Sequence, residues 1–346
     1  MKIKLKVKDF NLDLTFKPSF ISSIYISDKP YEWSKIAGHL AFKIKFKQVD
    51  ENTLIVESES GLTVKALYRR VLLETGLYKG PYEEHIQELP SEVKPQIEAL
   101  AETYKGVRLP YDPLDFKYIL IAAVLSKRVN YERVLNWCRK IWRKTNGRLD
   151  LIANLNKKEL KSIDNSYQVF QLQKTMKSLE TLSKRLHEKV KKLIGEPYVP
   201  PEEFILWLPP ELARLTLIKG CWGIGPKVAD SIILTTFKST NVIPCDAHIK
   251  TVSVRLGLVK QVEMPEKRFC SKFICDSEAA LKFNIQLCPK AERKTCLRAG
   301  LSYFKDLGGW IQSLIYFHGK NFCKVNKPLC WICPIKKECN WVEKKK

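Results

Sequence analysis

The segment at residues 215–258 constrains this chain more than any other, because glycine and proline interrupt it at fixed positions. A helical pattern ends near Ile218, a turn follows, and Pro226 occupies the tolerated first turn of a second helix. This order predicts a helix–hairpin–helix. Amides at the start of the second helix would point outward, where a phosphate can accept their hydrogen bonds. Gly220, Gly223 and Gly225 let the backbone turn tightly and approach such a partner closely.

A surplus of basic side chains favours a polyanionic partner. The 346 residues include 60 Lys and Arg against 37 Asp and Glu, a formal net charge of +23. The alternative is a basic surface that is simply solvated. No apolar run reaches the roughly 18 residues of a membrane helix, and the alternating start at residues 1–10 predicts a strand rather than a signal peptide. We therefore expect an intracellular protein, cytoplasmic or associated with the nucleoid.

Local patterns predict a β-rich start followed by helices. Four segments that alternate or are β-branched predict strands at residues 2–7, 10–16, 40–47 and 53–58. Two prolines predict an extended linker at 106–113. Polar, turn-prone residues indicate irregular structure at 146–165, and prolines indicate a loop at 196–201. Helical patterns cover 63–104, 114–142, 168–194, 203–208, 211–218 and 310–319, with a coiled coil as a second interpretation of 168–194.

Four cysteines near the carboxyl end have the spacing of metal ligands. Cys323, Cys330, Cys333 and Cys339, the C-terminal cysteine set, fall as C-x6-C-x2-C-x5-C. Such a set suits one tetrahedral zinc or a cubane iron–sulfur cluster, and spacing alone leaves both open. Eleven cysteines without a secretory signal favour metal ligands and reduced thiols over disulfides. The loop is basic, with lysines at Lys324, Lys327, Lys336 and Lys337.

A second group of cysteines lies in an apparent insertion at residues 259–299. Cys270, Cys275, Cys288 and Cys296, the insertion cysteine set, fall as C-x4-C-x12-C-x7-C, which is not a tight ligand spacing. Zinc binding, a disulfide and buried free thiols all remain open for this set.

The hairpin and the loop after it resemble those of the helix–hairpin–helix DNA glycosylases. The matching segments are 223–230, GIGPKVAD, and 243–248, IPCDAH. In that family a lysine at the position of Lys227 marks the bifunctional members, which remove a base and then cut the strand. The loop of the family ends in a catalytic aspartate, here Asp246. The resemblance thus implies a nucleophilic Lys227 and a catalytic Asp246.

Two branches of that superfamily are similar to different parts of the chain. The β-rich start before the helices looks like the eukaryotic-type 8-oxoguanine DNA glycosylases, with residues 10–15 and 106–113 carrying the likeness. The C-terminal cysteine set has the ligand spacing of endonuclease III and follows a similar helix. That likeness implies a [4Fe-4S] cluster held by Cys323, Cys330, Cys333 and Cys339.

The chemistry implied by the resemblance suits both residue types. Breaking an N-glycosidic bond creates a cation-like sugar, and a carboxylate beside it offsets the charge. A neutral amine can attack C1′ when burial or cationic neighbours lower its pKa. Asp246 could instead only cap a helix, and Lys227 could only bind phosphate. From the hairpin alone both interpretations of Lys227 stand.

Further residues are candidates for contact with the DNA backbone. Arg128 lies in the segment that carries a gap-filling residue in endonuclease III, and Lys127 precedes it; a solvated basic turn is the alternative. His248 and Lys250 follow Asp246 on the third helix. Together with Gly220, Gly223 and Gly225, these residues would bind phosphates without reading the sequence.

The sequence departs from the 8-oxoguanine enzymes at two positions. Those enzymes carry a glycine after the opening strand whose carbonyl reads the oxidised purine, whereas residues 17–23 contain none. The cysteine that they place four residues after the nucleophile is Ser231 here. The resemblance therefore implies the reaction class and not the base removed.

We expect a mainly α protein with a β-containing amino-terminal domain and the two-lobed helical glycosylase fold. The expected divisions are residues 1–105, the helical domains at 106–319 with the hairpin at 212–234, and the cluster loop with its basic tail at 320–346. Its function would be base-excision repair by a bifunctional glycosylase and AP lyase. We expect a monomer whose partner is double-stranded DNA with a damaged base or abasic site. The alternatives are a monofunctional glycosylase and a non-catalytic DNA-binding protein.

Overall fold

The computed structural model describes residues 1–195, 201–260 and 262–343. The expected loop at 196–201 therefore lies almost wholly outside the described residues. No helix among these residues is long and apolar enough to span a bilayer. The α-helices are α1 Leu12–Phe16, α2 Val64–Glu74, α3 Lys94–Thr103, α4 Phe116–Leu125, α5 Tyr131–Thr145, α6 Lys157–Ile163, α7 Tyr167–Ile194, α8 Pro210–Gly220, α9 Pro226–Thr236, α10 Ala247–Arg255, α11 Lys267–Cys270, α12 Ser277–Lys282, α13 Pro289–Glu292, α14 Leu297–Gly300, α15 Gly308–Asn321 and α16 Asn340–Glu343.

The amino-terminal part forms one antiparallel sheet of five strands, in the order β1-β5-β4-β3-β2. Alternation places Phe46 and Val56 opposite each other, and both side chains are buried. The expected β-containing start and the mainly helical remainder are confirmed. The strands are β1 Lys2–Lys6, β2 Tyr25–Lys29, β3 Glu32–Lys35, β4 Ile44–Asp50 and β5 Thr53–Ser58.

The strand predicted at residues 10–16 is wrong, because this segment forms helix α1. The Asn11 side chain accepts a hydrogen bond from the Leu14 amide at 2.9 Å and so caps the helix start. The alternating pattern was misleading because Leu12, Asp13, Thr15 and Phe16 are all buried. Asp13 tolerates burial since its carboxylate accepts from the Trp33 indole at 2.8 Å.

The segment at 146–165 is more regular than its polar composition predicted. A 3-10 helix covers Leu149–Asn154, and α6 follows it. Asn156 and Glu159 form a capping box in which each side chain bonds the other residue's backbone amide. Polar residues predicted a loop here, but two of them are the caps that start a helix.

A buried ion-pair network joins the sheet to the segment that enters the helices. Lys35 on β3 contacts Glu74 at 2.6 Å and Asp115 at 2.8 Å. Arg70 contacts Asp112 at 2.9 Å. Gly38 lies so close to Asp115 that an added Cβ would collide with its carboxylate. These contacts fix the extended linker, as expected at 106–113, against the sheet.

Two hydrophobic cores lie on either side of a cavity. The first combines the inner face of the sheet with helices such as α4, α5 and α9. The second combines α3, α10 and α15 with the carboxyl-terminal loop. This two-lobed arrangement was expected, and the cavity between the lobes is where α9 and α10 present their first turns.

Candidate functional site

The cavity between the two cores has a volume of about 340 Å³. Lys227 reaches it from α9, Asp246 from the start of α10, and Ser126 from the end of α4. The structure thus brings together both residues for which chemistry was predicted. The other lining side chains include Thr15, Ser19, Phe20, Arg108, Val129, Asn130, Tyr131, His248, Gln312, Tyr316 and Lys320.

Lys227 is held in the first turn of α9. Gly225 is extended at the helix start and Pro226 follows it, so the helix begins where the sequence predicted. The amine donates a hydrogen bond to Ser126 Oγ at 2.8 Å and lies 5.1 Å from the centre of the Phe20 ring. Burial lowers the pKa of Lys227, although the Asp246 carboxylate raises it in part.

Asp246 caps helix α10, as its alternative interpretation predicted. Its Oδ1 accepts from the Ile249 amide at 2.9 Å. The cap fixes the direction of the carboxylate, and the same side chain lines the cavity. An amine of lowered pKa can attack an electrophilic carbon in this cavity, while a carboxylate offsets positive charge on it.

The hairpin turn is held from behind by the long helix α7. Thr175 donates to the Trp222 carbonyl at 3.0 Å, and Ser178 accepts from the Trp222 amide at 2.7 Å. Gly223 has φ +74°, and a Cβ there would crowd Thr175 and Gln171 at 3.2 Å. Position 223 therefore requires glycine because of its backbone conformation and its close neighbours. The predicted contact of the Gly223 amide with DNA stays a prediction.

Lys127 belongs to the same support. Its amine donates to the Gly223 carbonyl at 2.8 Å and to Gln171. Burial, with the charge of Lys267, lowers the pKa of Lys127 to about 8. The ammonium therefore holds the turn, and its predicted contact with DNA stays a prediction.

The other two hairpin glycines differ from Gly223. Gly220 ends α8 and packs on Leu182, where an added Cβ would come within 2.9 Å. Gly225 faces open space, with no atom within 4 Å of an added Cβ. No side chain caps the start of α9. The opening of this helix is therefore the part of the hairpin best suited to an anion.

Arg128 is exposed and has a left-handed backbone, with φ +53°. It lies between α4 and α5, next to Val129 and Asn130, which line the cavity. A non-glycine residue in this conformation is strained. Arg128 is thus an exposed residue next to cavity-lining residues in the chain, and its contact with DNA stays a prediction.

His248 and Lys250 lie on α10 in different surroundings. His248 lines the cavity, stacks edge-on against Tyr316 at 5.6 Å between ring centres, and packs closely on Gly319. Lys250 is exposed and does not line the cavity. His248 thus supports the wall, and Lys250 is free to contact a partner outside it.

Two side chains beside the amine were not predicted as site residues. Ser126 donates to the Ala123 carbonyl at 2.8 Å, so its oxygen accepts from Lys227. Phe20 supplies an aromatic wall. Both are far from Lys227 in the chain, and the only sequence signal was the serine that ends the apolar helix α4.

The C-terminal cysteine set converges on a second, much smaller cavity of about 20 Å³. Arg255 donates to Cys323 Sγ at 3.4 Å and to the carbonyls of Lys324 and Val325. Among these described residues, no three sulfurs lie within 4.8 Å of one another. A tetrahedral zinc would hold its sulfurs about 3.8 Å apart. The four thiols suit a soft metal ion or an iron–sulfur cluster.

The comparisons with known proteins identify the fold. No protein-family model and no curated protein matches the chain. Among solved structures it is similar to the Clostridium acetobutylicum 8-oxoguanine glycosylase/lyase in complex with double-stranded DNA, with a TM-score of 0.61 and 16% identity over 92% of this chain and 97% of that one.

Two further structures agree with that finding. MBOgg1, solved with a low affinity DNA ligand, gives a TM-score of 0.56 at 16% identity, covering 92% of this chain and 95% of the other. The 3-methyladenine DNA glycosylase of Archaeoglobus fulgidus gives 0.53 at 14%, covering 93% and 99%. The fold is that of the helix–hairpin–helix DNA glycosylases, as the resemblance predicted.

Proposed function

We propose that this protein is a bifunctional DNA glycosylase and AP lyase of base-excision repair. One observation carries the proposal: the Lys227 amine and the Asp246 carboxylate face a single cavity between the two lobes. Binding to DNA alone requires neither group. A glycosylase/lyase of similar fold was solved in complex with double-stranded DNA, which supports DNA as the partner.

The first step removes the base. A target base inside a duplex is inaccessible, so its nucleotide is extruded into the cavity at a cost of about a few kcal/mol. The Lys227 lone pair attacks C1′, and the base leaves with the electron pair of the glycosidic bond and takes up a proton. Asp246, fixed by its helix cap, offsets the positive charge that develops on the sugar.

The second step cuts the strand. A proton moves from the Lys227 nitrogen to O4′ as the C1′–O4′ bond breaks. The sugar ring opens, and C1′ and Lys227 are left joined as a Schiff base. Removal of a C2′ proton then breaks the C3′–O bond, and the 3′ phosphate leaves. Water hydrolyses the Schiff base and frees the amine. Lys227 needs to be neutral at the start, which its lowered pKa favours.

Ser126 holds the Lys227 amine in position for its attack on C1′. Because the serine hydrogen is directed at the Ala123 carbonyl, the hydroxyl oxygen accepts one amine hydrogen. The lone pair of a neutral Lys227 is then free to face the cavity. Phe20 covers another side of the amine, which limits access of water to it.

Borohydride trapping on duplex with an abasic site or a damaged base tests the lyase. Lys227→Ala is expected to abolish the covalent adduct, because it removes the cavity amine whose pKa burial lowers. Asp246→Asn is expected to slow base release by about 10²–10³-fold. Lys158→Ala, which removes an exposed amine outside the cavity, serves as the control.

The outcomes separate the candidate functions. Normal trapping and cutting by Lys227→Ala would refute the lyase assignment. Base release without strand cleavage by the unaltered protein would indicate a monofunctional glycosylase. Binding to abasic duplex with no turnover across a panel of single lesions would indicate a DNA-binding protein without catalysis, and the same panel identifies the base removed.

We further propose that the C-terminal cysteine set holds a [4Fe-4S] cluster. Four thiols around one small cavity, with a ligand spacing that resembles that of endonuclease III, support the proposal. The exposed lysines Lys324, Lys327, Lys336 and Lys337 would then form a basic DNA-facing surface on a loop that the cluster folds. Bound iron with acid-labile sulfide and a visible absorbance band are expected, whereas a colourless zinc protein would contradict the proposal.

A further inference from the structure

The insertion cysteine set occupies a region that has little regular structure of its own. Helices α11–α14 have only four to six residues each. Two isolated parallel bridges, Glu263 with Cys296 and Ile274 with Leu287, connect them. Segments this short do not form stable helices alone. The region therefore depends on what its buried side chains hold together.

The backbone brings the four thiols to one place. Cys288 donates its amide to the Ile274 carbonyl at 2.8 Å, beside the bridge between Ile274 and Leu287, which sets Cys275 and Cys288 on neighbouring segments. The thiols of Cys270 and Cys296 both interact electrostatically with Cys275. All four cysteines are free. Of the alternatives left open by the sequence, the disulfide is absent among these described residues.

Two guanidinium groups lie beside the thiols, and Arg214 and Arg298 line one cavity together with Cys275. Arg214 is buried, contacts Asp230 at 2.5 Å and lies near the Cys270 thiol. Arg298 contacts the same carboxylate at 3.3 Å and interacts with Cys275. Two guanidinium groups thus share one carboxylate. Nearby cations favour the thiolate form of a cysteine, which is the form that binds metal.

We infer that Cys270, Cys275, Cys288 and Cys296 ligate a second metal centre, a thiophilic metal ion or cluster bound by four thiolates. The C-terminal cysteine set also has an arginine beside it, since Arg255 donates to Cys323 and Arg214 lies near Cys270. In the insertion set no three sulfurs lie within 4.8 Å, so the thiols would draw together around zinc. Around an iron–sulfur cluster the Cys275–Cys288 pair would separate instead.

The second centre would also support the loop that carries Asp246. Cys245 precedes Asp246, is buried, and interacts electrostatically with Cys296 and Arg298. Asp230 lies on α9 together with Lys227. A metal in the insertion set would therefore fix the insertion against the two elements that form the cavity.

Metal content of the whole protein, purified without oxygen, tests this inference. Native mass spectrometry of the unaltered chain, with iron, sulfide and zinc analysis, is expected to give two centres per chain. A doubled iron and sulfide content identifies a second cluster, and zinc beside one cluster identifies zinc. A single iron–sulfur cluster per chain with zinc absent would overturn the inference. So would a chain mass two hydrogens lower for each disulfide formed.

Variants assign the centres to their ligands. The double variant Cys275→Ser, Cys288→Ser is expected to lose the centre of the insertion cysteine set and keep the other. The double variant Cys330→Ser, Cys333→Ser is expected to lose the centre of the C-terminal cysteine set and keep the other. Cys138→Ser changes a buried cysteine of α5 outside both sets and should lose no metal. Unchanged metal content in the insertion double variant would contradict the assignment. These measurements do not depend on lyase activity, so they stand apart from the proposed function.

Discussion

At the scale of single residues, two effects in the cavity shift the pKa of the Lys227 amine in opposite directions. Burial lowers the pKa of Lys227, and the charge of Asp246 raises it. Asp246 cannot be moved away without losing the charge that would stabilise a cation-like sugar. The same carboxylate thus makes the amine less reactive by raising its pKa and makes the cation-like sugar more stable.

The pH dependence of adduct formation tests this balance. In Asp246→Asn the charge that raises the pKa of Lys227 is gone, so the pKa falls further. The neutral amine then persists to lower pH, and the ascending limb of Schiff-base formation on a preformed abasic site should move to lower pH. Trapping rates measured across pH give the limb. Asp28→Asn, an exposed carboxylate outside the cavity, should leave it in place, and a shift of the Asp246→Asn limb to higher pH would contradict the coupling.

Single residues also show where sequence reasoning ends. The local signals placed Lys227 and Asp246 at helix starts, and the resemblance of residues 223–230 and 243–248 to the glycosylases implied their catalytic roles. Ser126 was missed because its bond to Lys227 joins residues 101 positions apart. Lys127 was predicted to contact DNA, yet its amine bonds Gly223. Sequence shows that a charge exists, whereas its direction depends on neighbours that folding brings in.

At the scale of secondary-structure elements, the hairpin has a supported side and an open side. Helix α7 satisfies the turn from behind through Thr175 and Ser178, while the start of α9 at Gly225 has open space in front. The hairpin itself was predictable from its glycines and proline. Its support by α7 was not, because the segments lie more than forty residues apart.

Gly225→Ala separates binding from folding at this element. An added methyl meets no atom within 4 Å and the backbone is extended at φ −110°, so thermal stability should be unchanged. The methyl would stand where a phosphate approaches the amides, and affinity for abasic duplex should fall about tenfold, the loss of roughly one charge-assisted hydrogen bond. Gly80→Ala, also into open space, is the control for both measurements. Unchanged affinity would exclude the start of α9 from the DNA interface.

The buried ion-pair network is the element-level link between the sheet and the helices. Lys35→Met leaves the buried Glu74, Asp112 and Asp115 with Arg70 as their one remaining cationic partner in this network, and should lower the free energy of unfolding by about 3–5 kcal/mol. Lys2→Met removes a surface pair with Glu57 and should leave it nearly unchanged because solvent screens that pair. Denaturant midpoints compare the two, and equal losses would contradict the importance of burial.

At the scale of the whole molecule, the sequence predicted the architecture better than its local details. The β-containing start, the linker and the long helix at 167–194 were expected from composition and period, and the structure has them. Helix α1 was mispredicted because burial on every side removes the periodic signal. The divisions at residues 105 and 319 stay a prediction, since the sheet shares its core with helices beyond the first of them.

The net charge of +23 gives a prediction for the molecule as a whole. Affinity for duplex DNA should fall steeply with salt, by about 10³-fold or more between roughly 50 and 200 mM if about six to ten phosphates are contacted. Lys250→Ala should lower the slope of log affinity against log salt by about 1, and Lys158→Ala should not. Titrations at several salt concentrations measure the slope. A flat dependence would refute the basic surface as the binding site.

The support of the hairpin by helix α7 has a kinetic consequence. Because the turn is ordered before any partner arrives, gripping a strand requires no loop to be fixed in place, and releasing it frees none. Association with duplex would then be fast, because no conformational step precedes contact, and the protein could test many neighbouring nucleotides in succession. Only a nucleotide that leaves the stack would hold it long enough to react.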